Sequence, residues 1–253
     1  MSWELLPLLP LGILAGLLSG LLGIGGGLVF SPLLLLLGLD AHQALATSTL
    51  AIVPTTLAGT LAHLRNRSIP LAPGAAIGAG ALVTGLLFSH LGAALSGWQL
   101  LSLQSLMYLV LAFAIQPRDG LPKTDPQRVL PLAALAAVGL VAGFATGMLG
   151  VGGGLVMVPL MVRLLQVPVH LAIRLSTLAV LCSASAASPA FLADGRGQLA
   201  TALLMGGTAA VASQWSAARL HRVSEDRLVV LLRITSLFLA LDSGRRALTL
   251  LLA

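Results

Sequence analysis

An all-α polytopic membrane protein of two inverted repeats, each a glycine-broken helical hairpin followed by three transmembrane helices, is the fold class this sequence predicts. Three features predict it. The first is composition: 57% of the 253 residues are hydrophobic and 9% charged, whereas a soluble domain carries about 25% charged residues. Surface-to-volume scaling leaves a soluble chain of this size too much wet surface for so many apolar side chains. The second is duplication. GLLGIGGGLVFSPLLLL, from Gly20, returns as GMLGVGGGLVMVPLMVR, from Gly147. At this shift of 127, Gly20, Leu22, Gly23, Gly25, Gly26, Gly27, Leu28, Val29, Pro32 and Leu33 all meet identical residues. After one inserted residue, HQALATSTLAI from His42 runs against HLAIRLSTLAV from His170 at a shift of 128. The third is loop charge, which differs in sign of asymmetry between equivalent loops.

The elements follow in chain order. The apolar run Leu5–Leu37 is too long for one untilted crossing, since about 20 residues span the hydrocarbon. Four of the five residues Gly23 to Gly27 are glycine, each costing roughly 1 kcal/mol against alanine in a helix. The helix therefore breaks there, into a limb Leu5–Leu22 and a short limb Leu28–Leu37. Spans follow at Ala44–Leu64, Leu71–Leu91 and Trp98–Ile115. The second copy gives Val129–Leu149, a second break, Leu155–Leu165, then Leu171–Ala193, Gln198–Ala218 and Leu228–Leu252. Between the copies, Pro117–Pro126 is polar and proline-rich. The predicted organisation is a first repeat over 1–116, a cytoplasmic linker over 117–128 and a second repeat over 129–253.

Charge orients these spans. If each glycine break turns the chain back toward the side it came from, Arg65, Arg67, Arg118, Lys123, Arg128, Arg163, Arg174, Arg219, Arg222 and Arg227 fall on one face. Arg196, Arg245 and Arg246 fall on the other. Simple kinks would divide the cations almost evenly, so the positive-inside rule favours the turned-back arrangement. Gly38–Gln43 and Gly92–Gly97 hold no Lys or Arg, whereas their counterparts are bounded by or contain several. Equivalent loops of opposite character mean inverted repeats, with the basic loops in the cytoplasm and the N-terminus outside. The expected location is the bacterial inner membrane, crossed many times.

Several classes are excluded. The net charge of +6 sits in short loops with no stripe and no interleaved aromatics, so a nucleic-acid partner is not expected. The lone cysteine, Cys182, offers no disulfide framework or metal cluster. MSWELLPLLP has no basic residue before its apolar stretch and no small-residue cleavage pattern, so it reads as the first span and not a cleaved signal. No Ser-His-Asp set or paired carboxylates are present, and acidic residues are too few for a metal cage. An enzyme is not expected, nor a cofactor or a metal site.

What remains is chemistry at the breaks. Irregular backbone at membrane depth is tolerated where protein buries it or where it lines a cavity. A duplicated, glycine-interrupted helix points to a binding site between the halves. Each break leaves free N–H groups at a helix N-terminus, which attracts anions. The candidate substrate residues are Gly23, Gly25, Gly26 and Gly27 with Gly150, Gly152, Gly153 and Gly154. Close helix packing is the blander role for such glycines. No strand precedes GIGGG and no lysine follows it, which rules out a nucleotide loop.

Ser48, Thr49, Ser176 and Thr177, with Thr47 as a secondary candidate, head the following spans. Their hydroxyls can donate to an oxyanion or satisfy a backbone carbonyl. His42 and His170 hold equivalent positions just before them. Proton handling is one role, but capping the helix start is the simpler expectation. Arg174, which replaces Ala46, suits either an anion path or a snorkelling interfacial arginine. Arg233 and Asp242 lie inside the last apolar run, where charges are costly and are expected to be paired or cavity-facing. Nine residues apart, they are not direct helical neighbours, so each needs a partner elsewhere.

GIGGG and GVGGG, each followed by a proline (Pro32 and Pro159) and then by the histidine and the Ser/Thr-headed span, resemble the sulfite exporter TauE/SafE family of bacterial membrane permeases. The resemblance covers about residues 8–250. It implies transport, usually outward, of small sulfur-containing anions such as sulfite, sulfoacetate or related organosulfonates. Leu175 stands where the first copy has Thr47, a departure in the polar complement of the second half. The expected partners are a small anionic substrate and the lipid bilayer; assembly into a homo-oligomer stays open. Another small solute, or a subunit role in a membrane complex, is the alternative.

Overall fold

Residues 8–114 and 130–252 are described by the structure, a computed structural model. The linker 117–128, the hinge Pro117–Pro126, and Arg118, Lys123 and Arg128 lie outside the described residues, as does the start of the first limb. Among the described residues the chain forms ten α-helices: α1 (Leu8–Leu22), α2 (Gly27–Leu36), α3 (Ala41–Arg65), α4 (Leu71–Leu91), α5 (Gly97–Ala114), α6 (Leu132–Leu149), α7 (Gly154–Arg163), α8 (Val169–Ala193), α9 (Leu199–Ala218) and α10 (Glu225–Leu252). Both breaks fall where the glycines cluster.

Four of these helices (α3, α4, α6 and α8) are long and apolar enough, by length and composition, to cross a membrane. The 15 described residues of α1 and the 10 of α2 rise about 22 and 15 Å, and α2 is thus well short of the roughly 30 Å of hydrocarbon. Polarity runs inside out. Thr47, Ser48, Thr49, Thr55, Thr56, Ser176, Thr177 and Ser183 are buried, while Leu87, Val211, Phe238 and Leu241 are exposed. Such a surface is costly in water and stable in lipid, where the hydroxyls satisfy one another's backbones inside.

Helices of one copy pack chiefly on helices of the other. The α1 helix runs alongside α9, with Gly12 against Met205 and Thr208 and Gly20 against Ser213 and Ser216. In the same way α6 runs alongside α4, with Gly139 against Ile77 and Gly147 against Gly85. Glycine on one helix admits the backbone of its neighbour, the small-residue packing that membranes favour. The pairs α3 with α9 and α8 with α4 repeat this exchange, α3 also packs on α8, and α5 pairs with α10. These pairings sort eight of the helices into two groups, α1–α3 with α9 and α6–α8 with α4, which meet across α3 and α8 and where the two breaks touch.

The first break turns the chain back. The α1 helix runs in the same direction as α9, yet the end of α2 (Leu35, Leu39) lines one pocket with Gly195 and Arg196, at the start of α9.

Candidate functional site

Each break is built from left-handed glycines: φ is 68° at Gly23, 77° at Gly25 and 82° at Gly26, then 61° at Gly150 and 74° at Gly152. Any side chain there would be strained, which explains why both copies keep glycine. The structure brings the two breaks into contact. A Cβ on Gly27 would stand 2.5 Å from Val151 O, and one on Gly154 would stand 2.6 Å from Ile24 Cα. These are equivalent contacts, each copy's short helix opening against the other copy's break.

The serines complete the exchange. Ser48 donates its hydroxyl to Gly150 O at 2.9 Å, and Ser176 donates to Gly23 O at 2.6 Å. Ser48 Oγ also lies 3.3 Å from Gly27 O, within its own copy. Each serine thus satisfies a carbonyl released by the opposite break. Thr49 and Thr177 instead donate back to Leu45 O (3.0 Å) and Ile173 O (2.9 Å) in their own helices. In this conformation all four hydroxyl protons are taken by backbone carbonyls.

Thr47 belongs to a different contact. Its Oγ1 accepts the N–H of Gln198, at the N-terminus of α9, at 3.0 Å. The equivalent position at the start of α4 is Pro70, which has no N–H to satisfy. That accounts for Leu175 in the second copy: the hydroxyl would have nothing to accept.

The N-termini of α2 and α7 receive no side-chain cap from Gly26 or Gly153. Thr146 partly serves the second: its Oγ1 accepts from Gly153 N at 2.7 Å and donates to Ala142 O at 3.0 Å. Ser19, its counterpart, is fully buried and its hydroxyl has no partner among the described residues. Sequence reasoning passed over this pair. A hydroxyl four residues before Gly23 and Gly150 in both aligned copies was the available signal.

His42 does not cap α3, contrary to expectation. Asp40 caps α3, its carboxylate accepting from Gln43 N at 2.9 Å, and α8 starts at Pro168 with no side-chain cap. His42 instead lines an open pocket with Arg196 and Arg246, while His170 Nε2 lies 3.0 Å from Val223 O. Arg174 reaches toward Ser68 O, at 3.5 Å. Asp242 finds its partners on its own helix, Arg246 at 2.9 Å and Arg245 at 3.3 Å, one turn further along. Arg233 itself is exposed. Among the described residues no group of three or more His, Cys, Asp or Glu side chains gathers as a metal site.

The model of a family described as sulfite exporter TauE/SafE matches residues 8–242 of the chain. A probable membrane transporter protein of Bacillus subtilis, YunE, is 28% identical over 90% of this chain and 92% of its own length. One of Xylella fastidiosa is 32% identical over 67% of each chain. A third, of Methanocaldococcus jannaschii, is 26% identical over 70% of this chain and 69% of its own. No solved structure matches.

Proposed function

Because the chain belongs to the sulfite exporter TauE/SafE family of membrane transporters, we propose that it is a permease moving small sulfur-containing anions outward. Sulfite and organosulfonates are the cargo, the bacterial inner membrane the site, and binding without covalent chemistry the mode of action. The repeats, 1–116 and 129–253 joined by a cytoplasmic linker, are inverted in the membrane, with the N-terminus outside and the basic loops inside.

The observation that carries this reading is the reciprocal clasp, Ser48 on Gly150 O and Ser176 on Gly23 O. Cargo passes by alternating access. The bodies that rock are α1–α3 with α9 and α6–α8 with α4, so each mixes the two repeats. When they part, the clasp opens. Ser48, Thr49, Ser176 and Thr177 can then turn their hydroxyls to an oxyanion, and the N-termini of α2 and α7 offer it Gly25–Gly27 and Gly152–Gly154. An inside-negative potential of 100 mV favours outward movement by about 2.3 kcal/mol per negative charge, so no coupling ion is required.

The test is oxyanion flux in proteoliposomes by Gly27→Ala and Gly154→Ala proteins. Overpacking costs about 1–3 kcal/mol, enough to shift the balance between clasped and parted forms by roughly fivefold to more than a hundredfold. Both variants should insert normally and lose most sulfite flux. Flux at the wild-type rate in both would overturn the mechanism.

A further inference from the structure

A second polar feature lies away from the breaks, where the ends of α3 and α9 meet the first turns of α8. It is a cavity of about 530 Å³ whose polar lining includes His63, Asn66, Arg67, Ser68, Arg174 and His221. Among the described residues no carboxylate lines it, and none pairs with Arg174. His63 is only 2% exposed, and its Nε2 is buried with no hydrogen-bond partner. A buried polar atom left without a partner costs about 1–3 kcal/mol, a cost that a bound ligand would offset.

The turn that frames the cavity is held firmly. Ser68 places both its N–H (3.0 Å) and its hydroxyl (2.8 Å) on His63 O. Its own carbonyl takes one Arg174 nitrogen at 3.5 Å, a long contact that leaves most of the guanidinium donors unspent.

The opposite mouth is built differently. The pocket of about 740 Å³ near His42 also contains arginines, Arg196 and Arg246. There, however, Arg196 pairs with Asp194, Arg246 pairs with Asp242, and Asp40 joins the lining. Among the described residues, one mouth thus presents cationic donors without a carboxylate beside them, and the other presents paired ones.

We propose that the His63–Arg174 cavity is a binding site for a small tetrahedral or pyramidal oxyanion, and that it loads cargo from the basic face. Arg174 supplies the planar fork that matches two oxyanion oxygens. His63 donates from Nε2, and His221 and Asn66 close the ring. The asymmetry of the mouths favours capture on the basic side and release on the other. The identity of the cargo rests on the permease reading; the existence of the site does not.

The test is equilibrium binding of sulfite, sulfate and inorganic phosphate to the purified full-length protein in phosphatidylcholine nanodiscs. It is repeated with phosphatidylglycerol added, to separate a free oxyanion from a lipid headgroup. Wild-type protein should bind an oxyanion in both lipids. Arg174→Gln should weaken binding about tenfold or more, the worth of a charge-assisted hydrogen bond, and Arg174→Lys should recover part of it. His63→Leu should weaken binding while leaving the melting temperature of the unliganded protein unchanged or higher, because it removes an orphaned polar atom. Arg196→Gln should stay within twofold of wild type. The proposal is overturned if wild-type protein binds no oxyanion, if Arg174→Gln binds within twofold of wild type, or if phosphatidylglycerol abolishes binding. Arg174-dependent binding with no transport would sink the permease reading alone.

Discussion

At the scale of single residues, the two copies differ where their partners differ. Thr47 is held by the N–H of Gln198, and the second copy carries Leu175 because Pro70 has no N–H to offer. Thr47→Val should therefore leave a part-buried amide unsatisfied and lower stability by about 1–3 kcal/mol, read as a lower midpoint of unfolding in detergent. Leu175→Thr should add nothing; an unchanged midpoint for Thr47→Val would remove this explanation. The sequence made the glycines, Ser48 and Ser176 legible, because duplication marks positions that both copies need. It did not make their partners legible. A hydroxyl's acceptor is 102 residues away for Ser48 and 153 for Ser176, and no local pattern encodes that distance. His63 was not legible for a related reason, since one histidine in a last helical turn carries no signal without the cavity beside it.

Among the elements, the described helix ends were readable to within about three residues. Glycine clusters set the breaks at Leu22 to Gly27 and Leu149 to Gly154, and apolar length set the spans. Which helix packs on which was not readable, because small residues line nearly every face. The observed exchange, α1 on α9 and α6 on α4, changes which parts can move together. Gly12 on α1 and Thr208 on α9 belong to one body, with a Cβ on Gly12 standing 3.2 Å from Thr208 Cβ. Gly59 on α3 and Thr177 on α8 bridge the two bodies, with a Cβ on Gly59 standing 3.2 Å from Thr177 Cγ2. A disulfide holds its Cβ atoms about 3.5–4.5 Å apart, so the first pair has to ease apart slightly, while the second lies close enough to be bridged by a small shift. In a Cys182→Ser background, oxidising Gly12→Cys with Thr208→Cys should leave sulfonate flux near normal. Oxidising Gly59→Cys with Thr177→Cys should stop it, and reduction should restore it to the level of the reduced double variant, itself lowered by loss of the Thr177 hydroxyl. A sulfonate is the right cargo because sulfite itself cleaves disulfides. Equal flux through both cross-linked proteins would contradict the two-body motion.

For the whole molecule, the account is one of charge and symmetry. Residues the sequence assigned to the basic face, Arg67 and Arg174, line one cavity, and those assigned to the other, Arg196 and Arg246, line another. That agreement was legible in advance because loop charge is a global property that survives ignorance of packing. The neutralisation of one mouth by Asp40, Asp194 and Asp242 was not, since carboxylates so few in number gave no pattern of their own. An anion that enters at the cationic mouth, passes the parted clasp and leaves by the neutral one carries charge across the membrane. Current through proteoliposomes under an imposed potential, with sulfite or sulfoacetate as the only permeant anion, tests this most directly. The account predicts a saturable current that reverses with the oxyanion gradient and grows with inside-negative potential. Folded, inserted protein that passes no such current for any sulfur oxyanion would contradict it.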